Sequence, residues 1–396
     1  MQALPHLGRY YRPELDVVRF LAFLLVFLHH TLPEGQNPNL NIIQHLLGSL
    51  APIFYTSAGA CRYGLSLFFT LSAFLICELL LRERKMTGTL RIKQFYIRRI
   101  LRIWPLYYLA LSLGMILALL HGGNRNEIET VGWYAVFMGA WHSSLYGFFD
   151  NPVVPLWSIS VEEQFYLIAP SAVKYLNRKF LCVFCGVIVF CSSAWLYHLA
   201  KIAAPYDHIW ADSLVQFECF AAGILLCLAL RGQIPRFSLW QRLLLLPCCY
   251  LCWMAASFGL NLRIFHVTDS LGSWLLVGSY ALASLGSVFL LLAFLGLSPG
   301  QLPRWAIYLG RISFGLYVYH QFAIDIARYV SPEIQRKFNT SSYAPRALLN
   351  VGLTLGLPLA LTVLMAAISY RYFETPFLKM KKRHAVIESE PIADGA

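Results

Sequence analysis

Two ionisable side chains in the first apolar segment have the spacing of a shared chemical site. Arg19 and His30 lie 11 positions apart in a run that extends from Val17 to Leu32. On a helix this spacing is three turns plus about 20°, so both side chains share one face, with roughly 16 Å between them along the axis. The pattern predicts a polar groove crossing a membrane, although a snorkelling arginine and a surface pair, His29 and His30, would have the same spacing.

A second polar group begins a later apolar segment, at Trp157. It contains Ser160, Glu162 and Glu163 within seven residues. Acidic residues near a helix start can simply interact with the N-terminal dipole. A carboxylate there could also orient an imidazole or raise its basicity.

A third group is basic, with eight Lys and Arg between residues 82 and 103, including Arg98, Arg99 and Arg102. Such a cluster can bind anionic lipid head groups, at about 1 kcal/mol per cation. It can also form a phosphate site, because the guanidinium fork matches phosphate oxygens with paired hydrogen bonds.

A fourth group is the polar and aromatic stretch Ser313–Gln321, which contains Tyr319 and His320 inside an apolar segment. His320 is either a core histidine satisfied by a neighbouring helix or a supporting member of the site. No His and Cys cluster has the spacing of a metal site, since the two CxxC pairs lack partners, so we expect no metal.

Long apolar segments must position these groups. Of the 396 residues, 58% are hydrophobic and only 13% are charged, which excludes an ordinary soluble enzyme. The sequence predicts an all-α, polytopic transmembrane bundle of about ten spans. These lie near residues 15–32, 64–81, 104–121, 157–176, 181–199, 213–230, 241–259, 274–296, 306–330 and 347–370.

The distribution of basic residues predicts the orientation of the bundle. With ten spans and the N-terminus inside, the cytoplasmic segments carry 23 Lys and Arg and the external ones carry 7. Counting the less apolar segment 131–149 as a span would make the two sides equal. We therefore expect both termini in the cytoplasm, an external segment over 122–156, a transmembrane domain over 1–380 and a disordered cytoplasmic tail over 381–396. The net charge of +12 thus reflects membrane topology rather than nucleic-acid binding.

With these residues in view, the sequence resembles the acyltransferase family 3 proteins, bacterial integral-membrane acyltransferases. The similarity extends from Glu14 to Pro376. It is carried by LDVVRFLAFLLVFLHH (15–30), FYIRRILRIWPLYY (95–108), LWSISVEEQFYL (156–167), ISFGLYVYHQ (312–321) and YFETP (372–376). Some relatives carry an additional esterase-like domain of the SGNH type. We find no such domain in this sequence and expect that any second, external transfer step would need another protein or none at all.

The resemblance implies an O-acyltransferase of the bacterial inner membrane, with acyl-CoA as donor substrate and no bound cofactor. The donor is expected to be acetyl-CoA, and the acceptor a carbohydrate or lipid-linked glycan. The family pattern selects Arg19 and His30, the latter as general base. The family's paired-arginine stretch maps onto Arg98, Arg99 and Arg102, and our hypothesis is that these residues hold the CoA phosphates.

Further roles are hypotheses that we add to the resemblance, because the sequence supplies no obvious oxyanion donor. Glu163, or less favourably Glu162, would hold the imidazole of His30, and Ser160 or Tyr319 would supply an oxyanion donor. A covalent route through an acylated His30 or a serine stays open. The alternatives from other classes are a transporter of a lipid-linked or polar substrate and a non-enzymatic scaffold. Against the transporter, this sequence has no internal repeat of the kind found in many transporters.

Overall fold

The computed structural model describes residues 8–32, 48–120, 125–266, 270–338 and 343–388, which fold as a helical bundle. The helices are α1 (Pro13–Thr31), α2 (Ala51–Ala60), α3 (Gly64–Thr87), α4 (Ile92–Leu120), α5 (Arg125–Ala135), α6 (Gly139–Tyr146), α7 (Trp157–Tyr175), α8 (Arg178–Lys201), α9 (Tyr206–Ala211), α10 (Ser213–Leu230), α11 (Leu239–His266), α12 (Ser270–Phe294), α13 (Arg304–Arg311), α14 (Ser313–Lys337), α15 (Tyr343–Val351), α16 (Leu357–Ser369) and α17 (Thr375–Lys382). Eight of the ten predicted spans each coincide with one long helix. The span 306–330 covers α13 and α14, and the span 347–370 covers the end of α15 and the whole of α16.

The protein is a multi-pass membrane protein. Seven helical segments in the described part of the chain are long and apolar enough to cross a bilayer. Helices α1 and α7 are not among the seven, since each carries three charged residues. These are Glu14, Asp16 and Arg19 on α1, and Glu162, Glu163 and Lys174 on α7. The count of ten spans and the cytoplasmic side of the termini stay predictions.

The segment 131–149 does not form one helix of spanning length, in agreement with the sequence prediction. It contains the end of α5 and the whole of α6, which are separated at Phe137, a residue with a φ of 57°. The hydroxyls of Tyr107 and Tyr108 on α4 donate to the carbonyls of Tyr134 and Ala135, at 2.6 and 2.9 Å. The break between α5 and α6 is therefore held by hydrogen bonds from the neighbouring helix.

The last described residues differ from the disordered tail that the sequence predicted after residue 380. Strand β1 (Gly8–Arg9) pairs in parallel with strand β2 (Ile387–Glu388), and Val386 is buried. These contacts order the chain as far as Glu388. The sequence prediction did not include them, because local polar composition does not reveal a pairing partner at the other end of the described chain. The rest of the predicted tail, 389–396, lies outside the described residues. Since paired strands lie on one side of a membrane, the number of crossings between them is even.

Helix α3 is the centre of the bundle, with α1, α7, α10 and α12 packed around it. Small residues permit the closest approaches. A Cβ added to Gly223 on α10 would lie 2.2 Å from the carbonyl oxygen of Thr70 on α3. Backbones can approach this closely only where a side chain is absent, as is common between membrane helices.

This packing predicts that Gly223→Ala lowers the stability of the protein. The new methyl group must separate α10 from α3, and overpacking of this kind costs about 1–3 kcal/mol. Thermal unfolding of the detergent-solubilised protein, followed by intrinsic fluorescence, measures the effect. The matched control is Gly186→Ala on α8, where an added Cβ has no neighbour within 4 Å. Equal unfolding temperatures for the two variants would contradict the predicted close contact.

Candidate active site

A cavity of about 540 Å³ lies between α1, α3, α4, α7 and α14. Its longest wall is one stripe of α3, from Leu65 to Glu83, at helical spacing. Eighteen residues of helix correspond to about 27 Å, so the cavity is a long channel rather than a shallow cleft. Residues of the C-terminal segment, including Lys382 and Ile387, line the end near Glu83.

The walls of this cavity are strongly basic. Its lining includes three acidic residues, Asp16, Glu83 and Glu162. It also includes Arg12, Arg19, Arg98, Arg99, Arg102, Arg311, Lys381 and Lys382. The structure thus brings together all four arginines that the sequence analysis selected, from two separate helices, in one cavity suited to an anionic ligand.

Arg19 is fixed within its own helix. Its guanidinium group lies 2.5 Å from the carboxylate of Asp16, which also accepts a hydrogen bond from the hydroxyl of Tyr11. Helix α13 holds this turn of α1 from the other side, because a Cβ on Gly310 would lie 1.9 Å from the carbonyl oxygen of Asp16. Arg19 therefore presents a positioned positive charge to the cavity.

The three arginines of α4 differ in how they are held. Arg98 pairs with Glu83 at 3.3 Å and donates to the carbonyl oxygen of His384 at 2.9 Å. Arg99 lies over the rings of Phe95 and Tyr166, with its guanidinium carbon 5.5 and 5.2 Å from the two ring centroids.

Arg102 makes no hydrogen bond or ion pair within 4 Å among the residues described, although Glu374 lies within electrostatic reach. Arg98 is thus committed to protein contacts that join α3, α4 and the C-terminal segment. The guanidinium groups of Arg99 and Arg102 are the ones available to an anion.

Helix α7 presents two different polar faces. Ser158, Glu162 and Tyr166 face the cavity, and Glu162 accepts a hydrogen bond from Ser72 on α3 at 2.5 Å and another from Tyr166. Consecutive residues point 100° apart on a helix, so Glu163 faces α4 instead.

Glu163 and Ser160 lie on that α4-facing side. Glu163 is close to Trp104 and Arg99, and Ser160 is buried beside Tyr107. The predicted contact between Glu163 and His30 is not formed in the described part of the chain. Glu163 instead lies where it can position Arg99.

His30 belongs to a cluster of aromatic rings near the far end of α1. Its ring centroid is 5.2 Å from that of His29 and 5.2 Å from that of His320 on α14. His320 is fully buried, and its Nδ1 is hydrogen-bonded to the carbonyl oxygen of Tyr317. A carbonyl can only accept, so Nδ1 carries the proton and the unpartnered Nε2 is an acceptor in neutral His320.

These residues follow one another along the bundle. Gly310 packs at the level of Asp16, and the ring of His320 lies 6.4 Å from that of Phe23, so α14 runs beside α1 in the same direction. The order from the basic cavity outward is therefore Arg19, Tyr317, His320 and His30.

Sequence reasoning gave no role to Tyr317 and Ser158, which lie at the outer end of the cavity. The hydroxyl of Tyr317 is 2.6 Å from Oγ of Ser158. The signal was present, because Tyr317 precedes His320 by three residues and so shares its helix face. Tyr319, one of the two proposed oxyanion donors, does not line the cavity and lies near Ser369 and Glu374.

Comparisons with known proteins identify the family of this chain. The family described as "Acyltransferase domain" matches residues 12–370. The O-acetyltransferase OatA of Staphylococcus aureus is 22% identical over 390 residues, which cover 93% of this chain and 57% of that protein. Another S. aureus relative is 23% identical over 394 residues, covering 93% of this chain and 58% of its own length.

A relative from a second organism matches over a shorter stretch. The peptidoglycan O-acetyltransferase OatA of Listeria monocytogenes is 27% identical over 181 residues, which cover 43% of this chain and 25% of that protein. The chain therefore spans less than two thirds of the length of these relatives. No solved structure matches it.

The contacts of Arg98 predict a stability defect in Arg98→Ala. The substitution leaves the buried carboxylate of Glu83 without its cation, which costs about 2–3 kcal/mol. The unfolding temperature of the purified protein should fall, and the double variant Arg98→Ala/Glu83→Gln should recover part of the loss because the stranded charge is gone. Arg336→Ala, at an ion pair whose arginine is 77% exposed, is the control and should change little. A defect equal to that of the control would contradict the structural role of Arg98.

Proposed function

This chain belongs to the acyltransferase family 3, and we propose that it is an inner-membrane O-acetyltransferase that moves an acetyl group from acetyl-CoA to a hydroxyl of a cell-surface glycan. The observation that carries the proposal is the basic, channel-shaped cavity of about 540 Å³ that ends below the pair His320 and His30. The cavity supports a long anionic donor, and the histidine pair supports a proton-transfer centre at its outer end.

The chemistry of coenzyme A fits the two parts of the cavity. Its nucleotide end carries several phosphate charges, and its pantetheine arm is long, thin and uncharged. Arg99 and Arg102 would bind phosphate oxygens near the inner end, where arginine forks make paired hydrogen bonds. The stripe of α3 between Leu80 and Leu65 would accompany the arm outward. Arg19 would bind a phosphate or the start of the arm.

The transfer step then needs one base. His30 takes the proton of the acceptor hydroxyl as its oxygen attacks the thioester carbonyl, the new C–O bond forms and the C–S bond breaks. The proton passes from His30 to the departing thiolate, so the products are the acetyl ester and coenzyme A thiol. A route through an acylated His30 uses the same residue and the same overall balance.

His320 is the positioning residue for His30 in this proposal. With its Nδ1–H donated to the carbonyl oxygen of Tyr317, its Nε2 can accept a hydrogen bond from the imidazole N–H of His30, directly or through a water molecule. That contact would fix the tautomer of His30 and stabilise its charged form, the role that the sequence analysis gave to Glu163 or Glu162. Support for this exchange of roles comes from the 5.2 Å separation of the two histidine rings.

The acceptor follows from the relatives and from the position of His30. His30 lies at the end of α1 remote from the basic mouth, which in the predicted topology is the external side. The L. monocytogenes relative is named a peptidoglycan O-acetyltransferase. We therefore infer a surface polysaccharide, its lipid-linked precursor or peptidoglycan as the acceptor class.

The proposal predicts that His30→Ala abolishes acetyl transfer. Membranes carrying the protein are given acetyl-CoA with an isotopic label in the acetyl group, and labelled ester on the glycan fraction is measured by mass spectrometry. The control is His198→Ala, a substitution of an exposed histidine on α8 that stacks on Trp195. Transfer retained in His30→Ala at equal expression would contradict the role of His30 as general base. Absence of labelled ester with the unaltered protein would contradict the proposed enzyme activity itself.

A second prediction separates donor binding from proton transfer. Arg102→Gln should raise the KM for acetyl-CoA about tenfold with little change in kcat, since one charge-assisted phosphate contact is worth about 1.5–3 kcal/mol. His320→Gln should instead lower kcat with little change in KM, because it acts on the base after the donor has bound. Steady-state kinetics of the two variants measures both parameters. The reverse pattern, or equal effects on both parameters, would contradict the assigned roles.

A further inference from the structure

Arg311 is a further cation in the wall of the basic cavity. It is the last residue of α13, a helix that packs mainly against α1. Arg99 and Arg102 instead project from α4, which packs mainly against α5 and α17. The cavity therefore receives positive charge from two walls, one formed with α4 and the other formed with α1 and α13.

The guanidinium group of Arg311 is oriented by Tyr11. One of its terminal nitrogens donates to the hydroxyl of Tyr11 at 3.4 Å, and its carbon lies 5.9 Å from the centroid of the tyrosine ring. The same hydroxyl donates to Asp16 at 2.9 Å, and Asp16 pairs with Arg19. A chain of contacts thus connects Arg311 with Arg19 and keeps both cations on the same side of the cavity.

Most hydrogen-bond donors of Arg311 have no partner in the described part of the chain. A guanidinium group carries five N–H bonds. The contact with Tyr11 is its one hydrogen bond to a described residue, and its Nε is buried without an acceptor. No carboxylate among those residues lies within 4 Å of its guanidinium group, and Asp16 already pairs with Arg19. Unpaired donors on a partly buried cation cost free energy, and a phosphate group has enough oxygens to satisfy several of them.

Arg311 lies where the cavity meets the inner face of the protein. Together with Tyr11, Pro13, Pro299 and Ile307 it lines a second, open recess of about 430 Å³. Pro13 is the first residue of α1 and Pro299 follows the end of α12, so the recess lies at the predicted cytoplasmic end of the bundle. A donor made in the cytoplasm would therefore meet Arg311 as it enters the cavity.

We propose that Arg311 binds a phosphate group of the acyl-CoA donor, from the wall formed with α1 and α13, and that Tyr11 is its positioning residue. This inference rests on the proposed function and adds to its donor site a ligand from a third helix. Coenzyme A carries a diphosphate and a separate phosphate on its ribose, so cations on two walls can bind different phosphate oxygens at the same time. These contacts hold the nucleotide end at the inner face while the pantetheine arm extends along α3.

The test compares two donors that differ in their phosphates. Acetyl-CoA carries all of them and S-acetylpantetheine carries none, and both bring the same thioester. Arg311→Gln should lower kcat/KM for acetyl-CoA about tenfold, chiefly through KM, because one charge-assisted contact is lost. It should leave kcat/KM for S-acetylpantetheine unchanged. Labelled ester on the glycan fraction, measured by mass spectrometry, gives the rate with each donor.

Two milder variants and a control accompany this substitution. Arg311→Lys keeps the charge but loses the planar fork, and Tyr11→Phe removes the hydroxyl that orients Arg311. Each should lower kcat/KM for acetyl-CoA about threefold and leave that for S-acetylpantetheine unchanged. The control is Arg304→Gln, the same substitution at the exposed first residue of α13, which does not line the cavity. It should change neither value.

An equal loss with both donors in Arg311→Gln would overturn the inference, because it would indicate a structural role or a site for the phosphate of a lipid head group. Binding of coenzyme A to the purified protein, measured by calorimetry, tests the contact without catalysis. Its dissociation constant should rise about tenfold in Arg311→Gln, and an unchanged constant would also overturn the inference. Absence of transfer from acetyl-CoA by the unaltered protein would instead contradict the proposed function, whether or not coenzyme A binding depends on Arg311.

Discussion

A guanidinium group inside a membrane protein must be solvated by the protein itself, because hydrocarbon offers no hydrogen-bond acceptor and an isolated cation there costs at least several kcal/mol. At the predicted cytoplasmic ends of the helices, three arginines bind carbonyl groups that the ends of other helices leave unpaired. Arg84 donates to two carbonyls at the end of α7, Arg178 to one near the end of α10, and Arg242 to two at the end of α12. Each satisfies orphan carbonyls and places a positive charge at the negative end of a helix dipole.

The same constraint shapes the cavity. Arg19 and Arg98 have carboxylate partners within the protein, whereas Arg99 and Arg102 do not have one within 4 Å in the residues described. The paired arginines hold the walls in place, and the other two leave positive potential in the space between them. The cavity therefore combines a rigid frame with an unneutralised interior, which is the arrangement needed to attract a multiply charged anion.

The sequence was sufficient to predict the helices and much of the site. Helical periodicity alone put Arg19 and His30 on one face of α1, and apolar length located every long helix of the described chain to within a few residues at most ends. It could not decide between Glu162 and Glu163, because adjacent residues on a helix point about 100° apart and the orientation of α7 is set by its neighbours. The partner of His30 was equally hidden, since His320 is brought to it by packing between α1 and α14 across 290 positions of the chain.

The long-range pairing at the mouth of the cavity is the most informative departure from the prediction. Local composition predicted a polar tail at the end of the chain. The structure of this segment depends on contacts with β1 and with Arg98, which no local pattern indicates. The apolar core does not include these contacts, so the hydrophobic pattern that predicts the core does not indicate them.

This pairing also has a consequence for biosynthesis. The ribosome makes β1 and α1 long before the segment that ends in β2. The bundle can insert and assemble while the inner mouth of the cavity still lacks Lys381, Lys382 and Ile387. Until that segment leaves the ribosome and docks, a nascent chain has an inserted bundle but an incomplete cavity mouth. Maturation of the mouth is therefore a post-insertion step, set by the order of translation.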